Sequence, residues 1–90
     1  MAVYVDPIRH YPGLAAHLPV QHWCHMTADT EEELHAMAAA VGMPRRVFQM
    51  HPYRWHYDLT EPRRTEAVKM GALEITSRQM IRIMRARVGK

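Results

Sequence analysis

Four side chains of this 90-residue chain are of the types from which a metal centre or an acid–base site is made: Asp6, His25, His56 and Asp58. Imidazole and carboxylate donors together suit zinc, manganese or iron, whereas carboxylates alone suit magnesium. His56 and Asp58 stand two apart in "HYD", so an extended backbone would set them on one face as the expected catalytic pair. Asp58 has a second role open to it, as the carboxylate that orients the imidazole of a ligating histidine. Against both stands a purely structural alternative, with Asp58 capping the turn before a helix and His56 filling space as a half-buried ring.

Both residues belong to "HPYRWHYDLTEPRR" (51–64), a segment read as a loop, which adds His51, Tyr53, Trp55, Tyr57 and three arginines. Arg63 and Arg64 from this segment, together with Arg9, are the candidate substrate-binding residues, because guanidinium forks match phosphate geometry. Ordinary ion pairs with Asp58, Glu61 or Glu66 would occupy the two later arginines equally well. The alternating rings of Tyr53, Trp55 and Tyr57 either stack on a base or sugar or roof a small core, and the core role is the expectation. His35 is expected at a helix boundary and Asp29 at a helix start, with His10, His17 and His22 on the surface.

The elements that must position these groups can be read in order. "AVYV" (2–5) is a short strand that Asp6-Pro7 ends, a loop containing "YPGL" and "LP" follows, and "VQHWCHM" (20–26) is a second strand. Thr30 with Glu33 has the pattern of a capping box, and Leu34, Met37, Ala38 and Val41 recur at helical spacing up to Gly42. "RVFQM" (46–50) is the third expected strand. Thr60 is expected to cap a second helix that runs to Gly71, with Glu61 and Pro62 in its first turn. "ALEI" (72–75) is a fourth strand, and Thr76 with Gln79 caps a last helix to about Arg87.

Short strands alternating with helices predict a small single-domain α/β fold over residues 1–90, of two or three layers. Its sheet is expected to be short and largely parallel, with about four strands, accompanied by three helices. If the strands are parallel, their carboxyl ends bring Asp6, His25, Asp29, His51, His56, Asp58, Thr76 and Ser77 to one rim, where open α/β sheets bind ligands.

Composition narrows the classes. The single Cys24 excludes an internal disulfide and a Cys-x-x-Cys zinc site, which favours a reduced, cytoplasmic setting. No basic-flanked apolar leader is visible, and no apolar run approaches the roughly 20 residues that span a bilayer, so no membrane partner is expected. The net charge of +3 conceals an asymmetry, because residues 1–62 hold four basic and seven acidic side chains while residues 63–90 hold eight and two. The basic C-terminal third favours anionic partners, although a solvated surface needs no partner at all. On the last helix Arg78, Arg82 and Arg85 form one stripe and Met80, Ile81, Met84 and Val88 another. Such a helix suits a phosphate backbone or a second copy of the chain.

"YVDPIR", "CHMTADTEEELHAMAAAVG" and "HYDLTEPRRTEAVKMGALEIT" resemble the domain of unknown function 4031 family, DUF4031, small proteins of bacteria and phages. The resemblance spans most of residues 2–76 and implies a compact, single-domain cytosolic protein. It implies no particular activity or catalytic residue.

The function expected from the residues is metal-assisted hydrolysis of a phosphodiester or phosphate ester, with nucleic acid or a phosphorylated small molecule as the substrate. Asp6, His25, His56 and Asp58 would hold zinc, manganese or magnesium or move protons, and Arg9, Arg63 and Arg64 would hold the phosphate. Two alternatives belong to other classes. One is a non-catalytic module that binds nucleic acid or a phosphoryl ligand; the other is a small homo-oligomeric interaction protein joined through its last helix.

Overall fold

The computed structural model describes residues 2–10 and 22–89. The loop with "YPGL" and "LP", His17, and the first two residues of the expected second strand lie outside the described residues. Within them the order is β1 (Val3–Val5), β2 (Arg9–His10), β3 (His22–Ala28), α1 (Glu31–Ala40), a 3-10 turn (Arg45–Val47), β4 (Tyr57–Leu59), α2 (Glu61–Lys69), β5 (Leu73–Glu74) and α3 (Ser77–Arg85).

The expected α/β class and three helices are present, and the sheet is mixed. Seven-residue β3 lies at its centre and pairs antiparallel with β1, β2 and β4, while among the described residues β1 with β5 is the one parallel pair. Met26 pairs with both Val5 and Tyr57, so β1 and β4 flank β3. Since β4 and β1 each run against β3, β4 and β5 point the same way across α2. The parallel relation expected of the later strands thus exists between strands that are not neighbours.

The expected third strand is replaced by the 3-10 turn and one bridge, Gln49 to His56. Pro44 starts that turn, and His51-Pro52 reverses the chain soon after Gln49, which leaves too short a run for a ladder. The strand lies instead in the segment read as a loop, where Trp55, Tyr57 and Leu59 are buried and His56 and Asp58 are half-buried between them.

The same alternation divides β3. Cys24, Met26 and Ala28 join Val5, Tyr57, Leu59, Leu34, Ala38 and Ala67 in the main core, which packs α1 and α2 on one face. His25 lies on the other face, which α3 covers with Met80 and Met84. Cys24 is therefore a core residue, and burial pushes its thiol up to about 12, where the reactive thiolate is scarce at neutral pH.

Helix ends follow their sequence signals with two refinements. Thr30 Oγ1 accepts from the Glu33 N–H at 3.2 Å and donates to the Glu33 carboxylate at 2.9 Å, whereas Thr76 and Gln79 form the full reciprocal box. Thr60 holds the N-cap position of α2, but its side chain makes no capping bond. Gly42 (φ 80) and Gly71 (φ 107) close α1 and α2 with paired back-bonds, Met43 N–H to the Ala38 carbonyl and Ala72 N–H to that of Ala67.

Candidate metal centre and its pocket

The register of three strands assembles the site on the face of the sheet rather than at the rim of strand ends. His25 stands directly opposite Asp58 on β4, and the Asp6 N–H donates to the His25 carbonyl at 3.2 Å just beyond β1. Directly opposed residues in an antiparallel pair share a face, so Asp6, His25 and Asp58 form one row across the sheet. His56, two residues before Asp58, joins them; its ring centroid is 4.9 Å from that of His25.

Asp6 is 3% exposed, and both of its carboxylate oxygens are committed to one neighbour. Oδ1 accepts from the His25 backbone N–H at 2.6 Å, and Oδ2 lies 2.9 Å from His25 Nδ1. A carboxylate accepts only, so His25 carries its proton on Nδ1 and its lone pair on Nε2. This bond raises the pKa of His25 above its ordinary value, assisted by the charges of Asp6 and Asp58 and opposed by burial and Arg9.

His56 is fixed in the same tautomer by a different acceptor. Its Nδ1 lies 2.6 Å from the Arg54 carbonyl oxygen, which again requires a proton there. Its Nε2 then faces Asp58 Oδ1 at 3.2 Å, lone pair toward carboxylate. Such a contact is satisfied when a second proton or a metal cation sits between the two atoms. Two ligand atoms on one zinc-sized ion stand roughly 3.0–3.4 Å apart, given bonds of about 2.0–2.1 Å.

One donor atom each from His25, His56 and Asp58 lies within 4.8 Å of the other two. These three groups are of the kind that could hold a divalent cation, and Asp6 and the Arg54 carbonyl fix the orientation of the two rings. Asp6, expected as a ligand, lies outside this group of three and has both oxygens on His25.

A pocket of about 390 Å³ opens beside His25 and His56, and Asp58 is not among its described lining residues. Asp6, His25 and His56 line it, along with Arg9, Gln49, Met50, His51, Arg54, Ser77, Met80, Ile81 and Met84. Of the expected rim residues, Asp29 is elsewhere and accepts from the Tyr4 hydroxyl at 2.8 Å. His51 Nδ1 accepts the backbone N–H groups of Tyr53 and Arg54 at 3.3 and 3.0 Å, which organises the turn beside the pocket.

The three candidate substrate arginines separate. Arg9 lines the pocket. Arg63 donates to the Val41 carbonyl at the end of α1, where its charge also suits the helix dipole. Arg64 donates to the Asp6 carbonyl at 2.8 Å and pairs with Glu74 at 3.0 Å, so it braces the site from behind. Neither Arg63 nor Arg64 is among the described lining residues; Arg54 is, and it was not singled out in the sequence. Its signal was available, since Arg54, His56 and Asp58 alternate with Trp55, Tyr57 and Leu59.

One more group escaped the sequence, and His35 gains a partner its boundary position alone did not name. Arg87, at the end of α3, donates to the carbonyls of Ala28 (2.6 Å) and Tyr53 (3.2 Å) and to Thr27 Oγ1 (3.1 Å). Its guanidinium carbon lies 3.6 Å from the centroid of the Trp55 ring. His35 crosses from α1 to Tyr57, Nδ1 to hydroxyl at 2.8 Å, so Tyr57 and Trp55 are core rings as expected.

No curated protein and no solved structure matches the chain. A family model does match, over residues 3–87, and the chain accordingly belongs to the family described as protein of unknown function, DUF4031.

Proposed function

We propose that the protein is a metal-dependent hydrolase of phosphate esters, with one divalent cation held by His25, His56 and Asp58. The observation that carries this reading is the contact between His56 Nε2 and Asp58 Oδ1 at 3.2 Å, in a ring whose other nitrogen is already bound to a carbonyl. Two imidazoles and one carboxylate favour zinc, manganese or iron over magnesium, which prefers oxygen donors. A bound ion of this kind supplies Lewis acidity and an activated water.

The chain's own residues account for the rest. Asp6 and the Arg54 carbonyl hold the rings. Arg9 and Arg54 place two cations on the pocket wall, where they would hold the phosphate as its charge redistributes. The buried single Cys24 accords with a cytoplasmic setting, and no helix among the described residues is long and apolar enough to cross a membrane.

Elemental analysis of a tag-free preparation made in metal-replete medium tests the reading, combined with hydrolysis of bis(p-nitrophenyl) phosphate. About one equivalent of metal and metal-dependent turnover are expected. His56→Ala with Asp58→Ala should abolish both while circular dichroism keeps its native shape. A metal-free, inactive wild type that stays inert after zinc, manganese or iron is added would sink the proposal.

A binding module for nucleic acid is the second reading, favoured by exposed Arg78, Arg82 and Arg85 on α3. Its mark is oligonucleotide binding that weakens with salt and survives both alanine replacements.

A further inference from the structure

The pocket beside His25 and His56 has two unlike walls. Arg9 and Arg54 form a cationic one; Arg54 is further placed by Tyr53, its guanidinium carbon lying 5.7 Å from that ring's centroid. Met50, Met80, Ile81 and Met84 form the other, which is almost wholly apolar. Met50 is 85% exposed and Ile81 is 52% exposed. An isolated exposed hydrophobe is ordinary, but two at the mouth of one pocket, continuous with two buried methionines below, make a surface that water covers poorly. Thioether side chains are polarisable and adapt to flat partners. The volume, about 390 Å³, lies in the range of small-molecule sites.

We propose that the pocket takes a small phosphate monoester or diester whose alcohol portion is a flat, apolar ring system, with the phosphate toward Arg9, Arg54, His25 and His56 and the ring against Met50, Met80, Ile81 and Met84. This deepens the hydrolase reading and rests on it for the position of the phosphate. It commits the site to a ring-bearing monomer rather than to the sugar–phosphate backbone of a long polymer, whose recognition would need charge along the whole mouth. Simple aryl phosphates and nucleotides share the required chemistry.

Binding of two phosphonates, which cannot be hydrolysed as esters, separates this inference from turnover. Calorimetric titration of the wild type with phenylphosphonate and with methylphosphonate, with and without added zinc, should give at least a tenfold preference for the phenyl compound. Ile81→Asn removes an apolar contact without adding charge and should bring the preference close to one by weakening phenylphosphonate. Arg9→Ala should weaken both ligands together. Adenosine 5′-monophosphate tells the sources apart: affinity above that of phenylphosphonate assigns the ring to a nucleobase, and lower affinity to a simple aryl group.

Equal affinity for the two phosphonates, no binding of either, or a preference that survives Ile81→Asn would overturn the inference. Loss of the hydrolase reading looks different. In that case the phenyl preference persists without zinc, and the preparation shows neither bound metal nor turnover.

Discussion

Asp6 commits both carboxylate oxygens to His25, and its main-chain oxygen to Arg64. Asparagine at this position would keep an acceptor for the His25 N–H but present an N–H₂ to the ring, forcing the proton from Nδ1 to Nε2 and removing the ligating lone pair. Asp6→Asn should therefore fold normally and lose roughly 10–100-fold in zinc affinity. A competition titration measures the loss, and nitrogen chemical shifts of His25 report the tautomer, which a merely structural role would leave alone. Spacing alone could not pair Asp6 with His25, because that depends on which residue at the end of β1 stands opposite His25, nineteen positions later in the chain.

His35 yields a pH prediction on the other face of the sheet. Its side chain is only 13% exposed, and burial, with Arg45 adding repulsion and Glu31 opposing, lowers its pKa below the ordinary histidine value. Below about pH 6.5 the unfolded chain takes up a proton that the folded ring still refuses. Stability contributed by neutral His35 is thus complete above that pH and is lost as the pH falls through the depressed folded value. Urea unfolding at pH 7.5 and 5.5 should show a smaller acid loss for His35→Gln than for wild type; equal losses would refute this assignment.

Among the elements, helices were the most legible, because their signals are local. Thr30, Thr76 with Gln79, Gly42 and Gly71 each act within one turn of chain. The strand β4 was hidden by composition, since polar and aromatic residues suggest a loop, yet Trp55-His56-Tyr57-Asp58-Leu59 alternates with period two and the structure follows that period. The role of α3 was half legible. Its apolar stripe predicts docking, but its anchor is Arg87, just past the helix, which reads as one more basic surface residue. Arg87→Ala would leave the Ala28 and Tyr53 carbonyls without this charged donor and uncover Trp55, and should cost about 2–3 kcal/mol in denaturant unfolding. Arg87→Lys keeps the charge but not the fork, so it should recover only part of that loss.

For the whole molecule, the α/β class was legible and strand direction was not. Alternating apolar residues specify which face a strand buries, but carry nothing about whether its neighbour runs with or against it. Short strands alternating with three helices pointed to parallel pairing; among the described residues the chain instead wraps three antiparallel partners around β3 and keeps one parallel pair at β1 and β5. The gathering of Asp6, His25, His56 and Asp58 was expected at a rim and occurs on a face. The reason is that a central strand flanked by two others concentrates side chains from distant segments more tightly than separate strand ends can.

The pairing of Val5 with Met26 and of Arg9 with Trp23 leaves three residues, Asp6, Pro7 and Ile8, opposite only two, Cys24 and His25. Uninterrupted pairing would set Ile8 against Trp23 and turn Arg9 to the face that packs on α1 and α2; the spare position at Pro7-Ile8 sends the guanidinium to the pocket side instead. A single-codon deletion there would leave His25, His56 and Asp58 in place and still strip the pocket of a cation, so a length change of one residue, with no altered side chain among those three, is enough to change the charge balance of the pocket wall.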